Sequence, residues 1–204
     1  MGKYEPGALG DFHGKCGNIT IIHRGSRAYA LKNQCTYRKH EATAAQLRQQ
    51  EIFAKVSRVL RPFKVAIRAG FETGDAAFSA YSQAFRANYR YAEFLDDFDF
   101  RPENLRLSAG GESFDVDVVK NREGGFDVSW TPVDGSSPLD RATVLVVVYN
   151  AKTARAETFR SEMSAGSLTV SAAGLITGAQ DDIHVYAFAA RDTASSDTRH
   201  FSFD

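Results

Sequence analysis

The chain has few of the residues and patterns that mark the common functional classes. No run of about 18 apolar residues without charge occurs, so no membrane-spanning helix is expected. The first twelve residues lack the apolar core of a secretory signal, so the protein is expected in the cytoplasm or within a particle. Only two cysteines occur in 204 residues. Without a signal peptide, reduced thiols are the expectation.

Motifs for metal, phosphate and nucleophile chemistry are also missing. None of the five histidines is paired at i, i+4, and neither HExxH nor CxxC is present, so no zinc site is predicted. GDFHGK resembles a P-loop, but Leu9 stands at the first glycine position and Cys16 follows Lys15. His184 and Tyr186 share one face of a strand, which is typical of a hydrogen-bonded structural histidine. We therefore predict no catalytic residue, no metal ligand and no cofactor.

The zero net charge conceals a strong asymmetry between the two parts of the chain. Residues 1–70 carry 13 Lys or Arg against 4 Asp or Glu, and residues 71–204 carry 12 against 21. Such a division indicates either nucleic-acid binding by the basic part or packing of basic on acidic surfaces, within one chain or between copies. Because no net charge attracts a polyanion, the asymmetry favours the second interpretation.

An apolar and basic hairpin is predicted near the N-terminus. Residues 18–24 and 27–33 are rich in β-formers, and the Gly25-Ser26 pair between them is typical of a type II′ turn. Both faces of the hairpin would be apolar, and a two-stranded hairpin is marginal in water unless something covers it. We expect one face to lie on the chain's own helix and the other on a neighbouring subunit; alternatively, the hairpin folds back on its own domain. The residues expected to form an assembly interface are Ile19, Ile21, Ile22, Tyr29 and Leu31.

The same hairpin suggests a basic contact and a cysteine pair. Arg24 and Arg27 would lie opposite each other, and such a like-charged pair indicates an anionic or acidic partner. The expected basic contact residues are Arg24, Arg27, Lys32, Arg38 and Lys39. Extending the register places Cys16 opposite Cys35, so a disulfide formed after release from the cell stays open as an alternative.

A helical segment follows the hairpin. Thr43 is a candidate N-cap, and apolar residues recur at helical spacing from Ile52 to Ile67, with a kink or a new start expected at Pro62. A second helix is predicted over residues 75–94. Its aromatic stripe is expected to be core and consists of Phe78, Tyr81, Phe85 and Tyr89.

From about Leu105 the apolar pattern changes to period two. Seven short runs either alternate apolar with polar residues or are rich in β-branched and aromatic residues, and turn residues separate them. This pattern predicts an antiparallel β-sandwich of immunoglobulin or fibronectin type III character, with Trp130 as a core residue. The fold class is therefore α+β. Two domains are expected: residues 1–104 with the basic arm, hairpin and helices, and residues 105–204 with the sandwich.

The order of these features resembles a family of Bacteroidetes proteins of similar length and no established activity. The resemblance is carried by a G-x-L-G-x-F-x-G-K-x-G start, a T-x-A-Q-L helix and a strand near the end that reads IHVYAF. The matching positions are Gly7, Gly10, Phe12, Gly14, Lys15, Gly17, Thr43, Gln46, Leu47 and Phe53. The helix segment also resembles one in phage virion-associated proteins, which implies a particle component.

These observations predict a non-enzymatic structural protein that self-associates through its N-terminal hairpin arm. The expected partners are further copies of the chain or other subunits of a particle such as a phage-like virion. Two alternatives stay open. One is a nucleic-acid-binding protein that uses the basic N-terminal part, and the other is a surface- or carbohydrate-binding module that uses the sandwich loops.

Overall fold

The structure, a computed structural model, describes residues 2–4, 14–16, 19–24, 27–32, 41–71, 78–93, 101–133, 135, 137–176, 182–191 and 194–203. Within these ranges there are three α-helices: α1 (Ala44–Leu60), α2 (Lys64–Gly70) and α3 (Ala80–Glu93). Four strands precede them: β1 (Gly2–Tyr4), β2 (Gly14–Cys16), β3 (Ile19–Arg24) and β4 (Arg27–Lys32). Eight strands follow: β5 (Val116–Lys120), β6 (Phe126–Trp130), β7 (Thr143–Asn150), β8 (Arg155–Glu162), β9 (Ser167–Val170), β10 (Ile183–Arg191), β11 (Ala194–Ser195) and β12 (Arg199–Phe203).

Local sequence signals determine where α1 begins and ends. The Thr43 hydroxyl accepts a hydrogen bond from the Gln46 amide at 3.3 Å, and the Gln46 side chain accepts one from the Thr43 amide at 2.9 Å. This capping box confirms the predicted N-cap. At the other end Pro62 lies in a single 3₁₀ turn, Arg61–Phe63, which separates α1 from α2. Proline cannot donate a backbone hydrogen bond, so the predicted interruption is confirmed.

The aromatic stripe of the second predicted helix is only partly core. Tyr81, Phe85 and Tyr89 lie in α3 and are partly buried against the apolar cluster beneath the helices. Phe78 precedes the helix and is 60% exposed. The prediction of a core residue is therefore wrong for Phe78, because the helix starts two residues too late to turn its ring inwards.

Two antiparallel sheets are built from the strands after residue 105. The larger has the order β11-β10-β7-β8. β11 and β12 lie on the same side of β10, where β11 pairs with its last two residues and β12 pairs with residues 183–187. The smaller has the order β5-β6-β9. All seven predicted strands are present, with the short β11 in addition. The fold is thus a mixed α+β fold with several antiparallel sheets.

Alternate residues of the central strands β7 and β10 enter two different cores. In β7, Val144, Val146 and Val148 pack with the small sheet, whereas Leu145 and Val147 pack with the helices. The large sheet is therefore the middle of three layers, with helices on one face and the small sheet on the other. Burial on both faces explains why TVLVVVYN and IHVYAFAA read as continuous apolar runs.

The core between the two sheets contains the single tryptophan. Trp130 is 6% exposed, and its indole N–H donates to the Met163 carbonyl at 2.8 Å. The hydrogen bond satisfies the one polar group of a side chain that is otherwise suited to an apolar core. Trp130 is thus a core residue, as predicted.

The core beneath the helices joins residues from both predicted domains. Phe63 from the turn after α1 contacts the rings of Tyr149 and Tyr186, with centroids 4.9 and 5.7 Å apart. The Tyr186 hydroxyl donates to the Pro102 carbonyl at 3.0 Å. The boundary between residues 104 and 105 stays a prediction about folding units, although this cluster of buried residues crosses it.

The N-terminal strands form a separate four-stranded sheet with the order β1-β4-β3-β2. β3 and β4 pair antiparallel, with Thr20 opposite Leu31 and Ile22 opposite Tyr29. No helix among the described residues is long and apolar enough to cross a membrane.

One expectation about this sheet is wrong. The extended register placed Cys16 opposite Cys35, but Cys16 lies in β2, which turns back and pairs with Ile19 of β3. β2 ends at Cys16 and lies on the side of β3 away from β4, so Cys16 does not extend the pairing of β3 with β4. Cys35 lies outside the described residues, so a bridge to it stays a prediction.

Candidate functional site

Among the described strands, the N-terminal sheet leaves part of the backbone of its two inner strands, β3 and β4, unpaired. β2 pairs with Ile19–Ile21 of β3 and β1 pairs with residues 28–30 of β4, so each outer strand covers only half of its neighbour. Among the described strands, none pairs with the outer side of residues 22–24 or of residues 31–32. Unpaired N–H and C=O groups at a sheet edge can accept a further strand.

The five predicted interface residues differ in exposure. Ile21 is 3% exposed, whereas Ile19, on the same face of the strand, is 47% exposed. Ile22 and Tyr29, which face each other on the opposite side, are half-buried. Leu31 lies in β4, and its side chain is outside the described part of the chain. The sheet therefore has one covered position and one open apolar position on the same face.

The predicted basic contact is only partly within the described residues. Arg24 and Arg27 are directly opposite at the end of β3 and β4, and Lys32 ends β4. Only their backbone is described. Arg38 and Lys39 lie outside the described residues. The register thus confirms that the two arginines lie opposite each other at one end of the sheet. The anionic or acidic partner stays a prediction.

This sheet is largely separate from the two cores of the protein. Among the residues described, no member of β1–β4 belongs to either cluster of buried side chains. Nor does any of these four strands pack extensively against a helix or strand of residues 41–203.

A second polar constellation lies at the junction of β10, β12 and the helical layer. His184 Nδ1 and His200 Nε2 are 3.0 Å apart and share one hydrogen bond. The Asp182 carboxylate lies 3.0 Å from His184 Nε2, but out of line with a ring N–H bond, so this contact is electrostatic. The three side chains thus form a carboxylate–histidine–histidine row. The tautomers of the two rings decide which histidine donates in the His184–His200 hydrogen bond.

Aromatic rings enclose this row and perturb its titration. Tyr149 stacks on His184 with centroids 6.3 Å apart, and Tyr186 lies 5.1 Å from His200. Burial lowers the pKa of His200, and the adjacent His184 lowers it further. Burial also raises the pKa of Tyr149, to which the charge of Asp182 adds. Burial likewise raises the pKa of Tyr186. At neutral pH His200 and both phenols are therefore uncharged.

The row gives His184 one hydrogen-bond partner through Nδ1 and leaves its buried Nε2 without one among the described residues. His184 is hydrogen-bonded, in agreement with the sequence interpretation. No group of three or more His, Cys, Asp or Glu in the described ranges has an arrangement that would hold a metal ion. The partners Asp182 and His200 were missed in the sequence because only the register of β10 with β12 brings His200 next to His184.

Comparison of the sequence with protein-family models and with curated proteins finds no match. The resemblance to the Bacteroidetes family and to phage virion-associated proteins therefore stays a prediction.

Proposed function

We propose that the protein is a non-enzymatic structural subunit that associates with further copies of itself through its N-terminal sheet. The particle would be a phage-like virion or a similar assembly. The observation that carries the proposal is the N-terminal sheet itself. Among the described residues it has half-paired edges, an open apolar position at Ile19 and no part in the central cores. A neighbouring chain would add a strand at an open edge and cover Ile19.

The rest of the chain would serve as the rigid body of the subunit. We propose that the two sheets with their common core form a sandwich of immunoglobulin or fibronectin type III character, covered by the helices on its outer face. The N-terminal sheet of one copy would act as an arm that contacts the body of the next. A contact of this head-to-tail kind repeats into rings or filaments.

The test is the solution mass of nuclease-treated protein by light scattering, at low and at high salt. The chain has a mass of 22.4 kDa, and a multiple of this value is expected at both salt concentrations. Deletion of residues 1–40 is expected to yield a folded monomer, because neither core contains a described residue from this segment. A monomeric parent protein would refute self-association.

A pair of matched substitutions locates the interface. Ile19→Lys places a charge at the open position of β3, and Val119→Lys places the same charge at a residue of β5 that is 57% exposed. We expect Ile19→Lys to shift the mass towards monomer and Val119→Lys to leave it unchanged. Equal behaviour of the two variants would mean that the N-terminal sheet is not the contact. If a monomer instead bound oligonucleotides in a strongly salt-dependent way, the nucleic-acid alternative would replace the proposal.

A further inference from the structure

A groove of about 700 Å³ lies between the α1–α2 junction and the start of α3. Ile67 and Phe71 form its floor and are almost fully buried, at 1% and 4% exposure. Tyr81 forms a wall, and its hydroxyl donates to the Ser57 carbonyl at 3.3 Å, so its polar end is already satisfied. Phe78 lies at the mouth with 60% of its surface exposed. The volume and the apolar lining are within the range of small-molecule pockets.

Three cations lie along one rim of this groove. Arg61, Lys64 and Arg68 are spaced by three and four residues, which places them on one side of the helical segment. All three are exposed. In the part of the chain that the structure describes, none of them has an ion-pair or hydrogen-bond partner, and no carboxylate is among the residues that line the groove. Among the described residues, the rim therefore carries three positive charges and no counter-charge.

We propose that this groove binds a single-chain amphiphile with an anionic head group. The alkyl chain lies on Ile67, Phe71 and Phe78, and the carboxylate, sulfate or phosphate head contacts the cations of the rim. A small anion alone would leave the aromatic surface in water. A neutral apolar molecule would leave the three cations without a partner. An anionic amphiphile satisfies both halves of the groove, and this binding is a property separate from subunit association.

The first experiment compares probes that carry only part of this chemistry. The full chain is titrated calorimetrically at pH 7.5 with dodecanoate, below the concentration at which it forms micelles. We expect one molecule per chain and a Kd on the order of 10 µM, since each buried methylene contributes to affinity. Dodecyltrimethylammonium, which has the same chain and the opposite charge, is expected to bind about tenfold more weakly or less. Acetate and inorganic phosphate, which have a head but no chain, are expected to show no binding in the same range.

The second experiment removes the charges without filling the groove. The triple variant Arg61→Gln, Lys64→Gln and Arg68→Gln should bind dodecanoate about tenfold more weakly, because each exposed cation contributes modestly. It should also lose the preference for the anionic head. A matched control removes two arginines and one lysine that are exposed elsewhere, and its affinity should be unchanged: Arg86→Gln, Arg122→Gln and Lys152→Gln.

A third variant fills the groove and keeps its charge. Ala80 lines the groove at the start of α3, so Ala80→Trp should abolish dodecanoate binding while the rim cations are retained. Thermal unfolding of each variant shows whether the fold is intact.

Four results would overturn the proposal. These are the same affinity in the triple variant as in the parent, equal binding of the two dodecyl probes, phosphate binding as tight as that of dodecanoate, and no binding of dodecanoate. A further probe is a peptide of residues 94–100, FLDDFDF, which combines aromatic and acidic side chains. If this peptide bound and dodecanoate did not, the occupant would be a protein segment and the amphiphile would be wrong.

Discussion

Replacing Phe63 with alanine would remove the side chain on which the helical layer and the large sheet meet. Phe63 is fully buried, and its ring packs against Tyr149 of β7 and Tyr186 of β10. Truncation of a buried phenylalanine costs about 3–5 kcal/mol, from the lost transfer free energy and the cavity that remains. Since a domain of this kind is stable by about 5–15 kcal/mol, the variant should fold but unfold at a clearly lower urea concentration.

Two spectroscopic signals make this variant a test of how the protein folds. Trp130 is the only tryptophan and lies in the other core, between the two sheets, so its fluorescence reports on a region that Phe63 does not touch. Circular dichroism at 222 nm reports mainly on the helices. If helices and sheets unfold as one unit, Phe63→Ala should shift both transitions by the same amount. The matched control, Phe53→Ala on α1, removes a ring that is 57% exposed and should cost less than about 1 kcal/mol.

A shift of the circular dichroism transition alone would refute this reasoning. The Trp130 signal would then belong to an independent unit, and the predicted boundary between residues 104 and 105 would separate two domains in the thermodynamic sense. Coincident transitions would mean that the core crossing this boundary makes the fold cooperative from α1 to β12.

Three further predictions concern local features of the fold. Thr43→Ala removes the N-cap of α1 and should lower the free energy of unfolding by about 1 kcal/mol in urea titrations; no change would mean that the capping box contributes nothing. Gly70→Ala would place a Cβ in steric conflict with the Leu107 carbonyl oxygen, so we expect a loss of roughly 2–3 kcal/mol by thermal or urea unfolding. Gly135→Ala, where the space is open, should change little. Because burial lowers the pKa of His200 in the folded state, its protonation favours unfolding, and stability should fall as the pH drops below about 6.5, the ordinary histidine value. The unfolding free energy should fall less between pH 7.5 and 5.5 in His200→Gln than in the parent. The difference should be small, below about 1 kcal/mol, since the ring is only half-buried. Identical pH profiles of the two proteins would exclude His200 as the source of the pH dependence.

Several elements could be predicted because their causes lie within a few neighbouring residues. The N-cap at Thr43 depends on Gln46 three positions later, and the break at Pro62 depends on the missing N–H of proline itself. The seven strands after residue 105 follow from alternation and turn residues over short stretches. Trp130 could be predicted to be buried from the alternation of one strand.

The candidate sites depended on contacts that alternation and spacing do not encode. The groove exists only because the start of α3 lies beside α2, so that residues of both helices enclose an apolar space. The histidine row could not be predicted, because His184 and His200 are sixteen residues apart and only the strand pairing brings them together. The exposed position at Ile19 likewise depends on where β2 turns back.

The sequence by itself determined the kinds of element, their order and many of their ends, because helix caps, proline and period-two alternation act locally. Only the tertiary structure decided that the helices cover the outer face of the large sheet. The double-sided apolar runs of β7 and β10 require two covering layers, but they do not specify which segments supply them. That choice depends on which distant surfaces complement each other in shape, as where Phe63 meets Tyr149 and Tyr186.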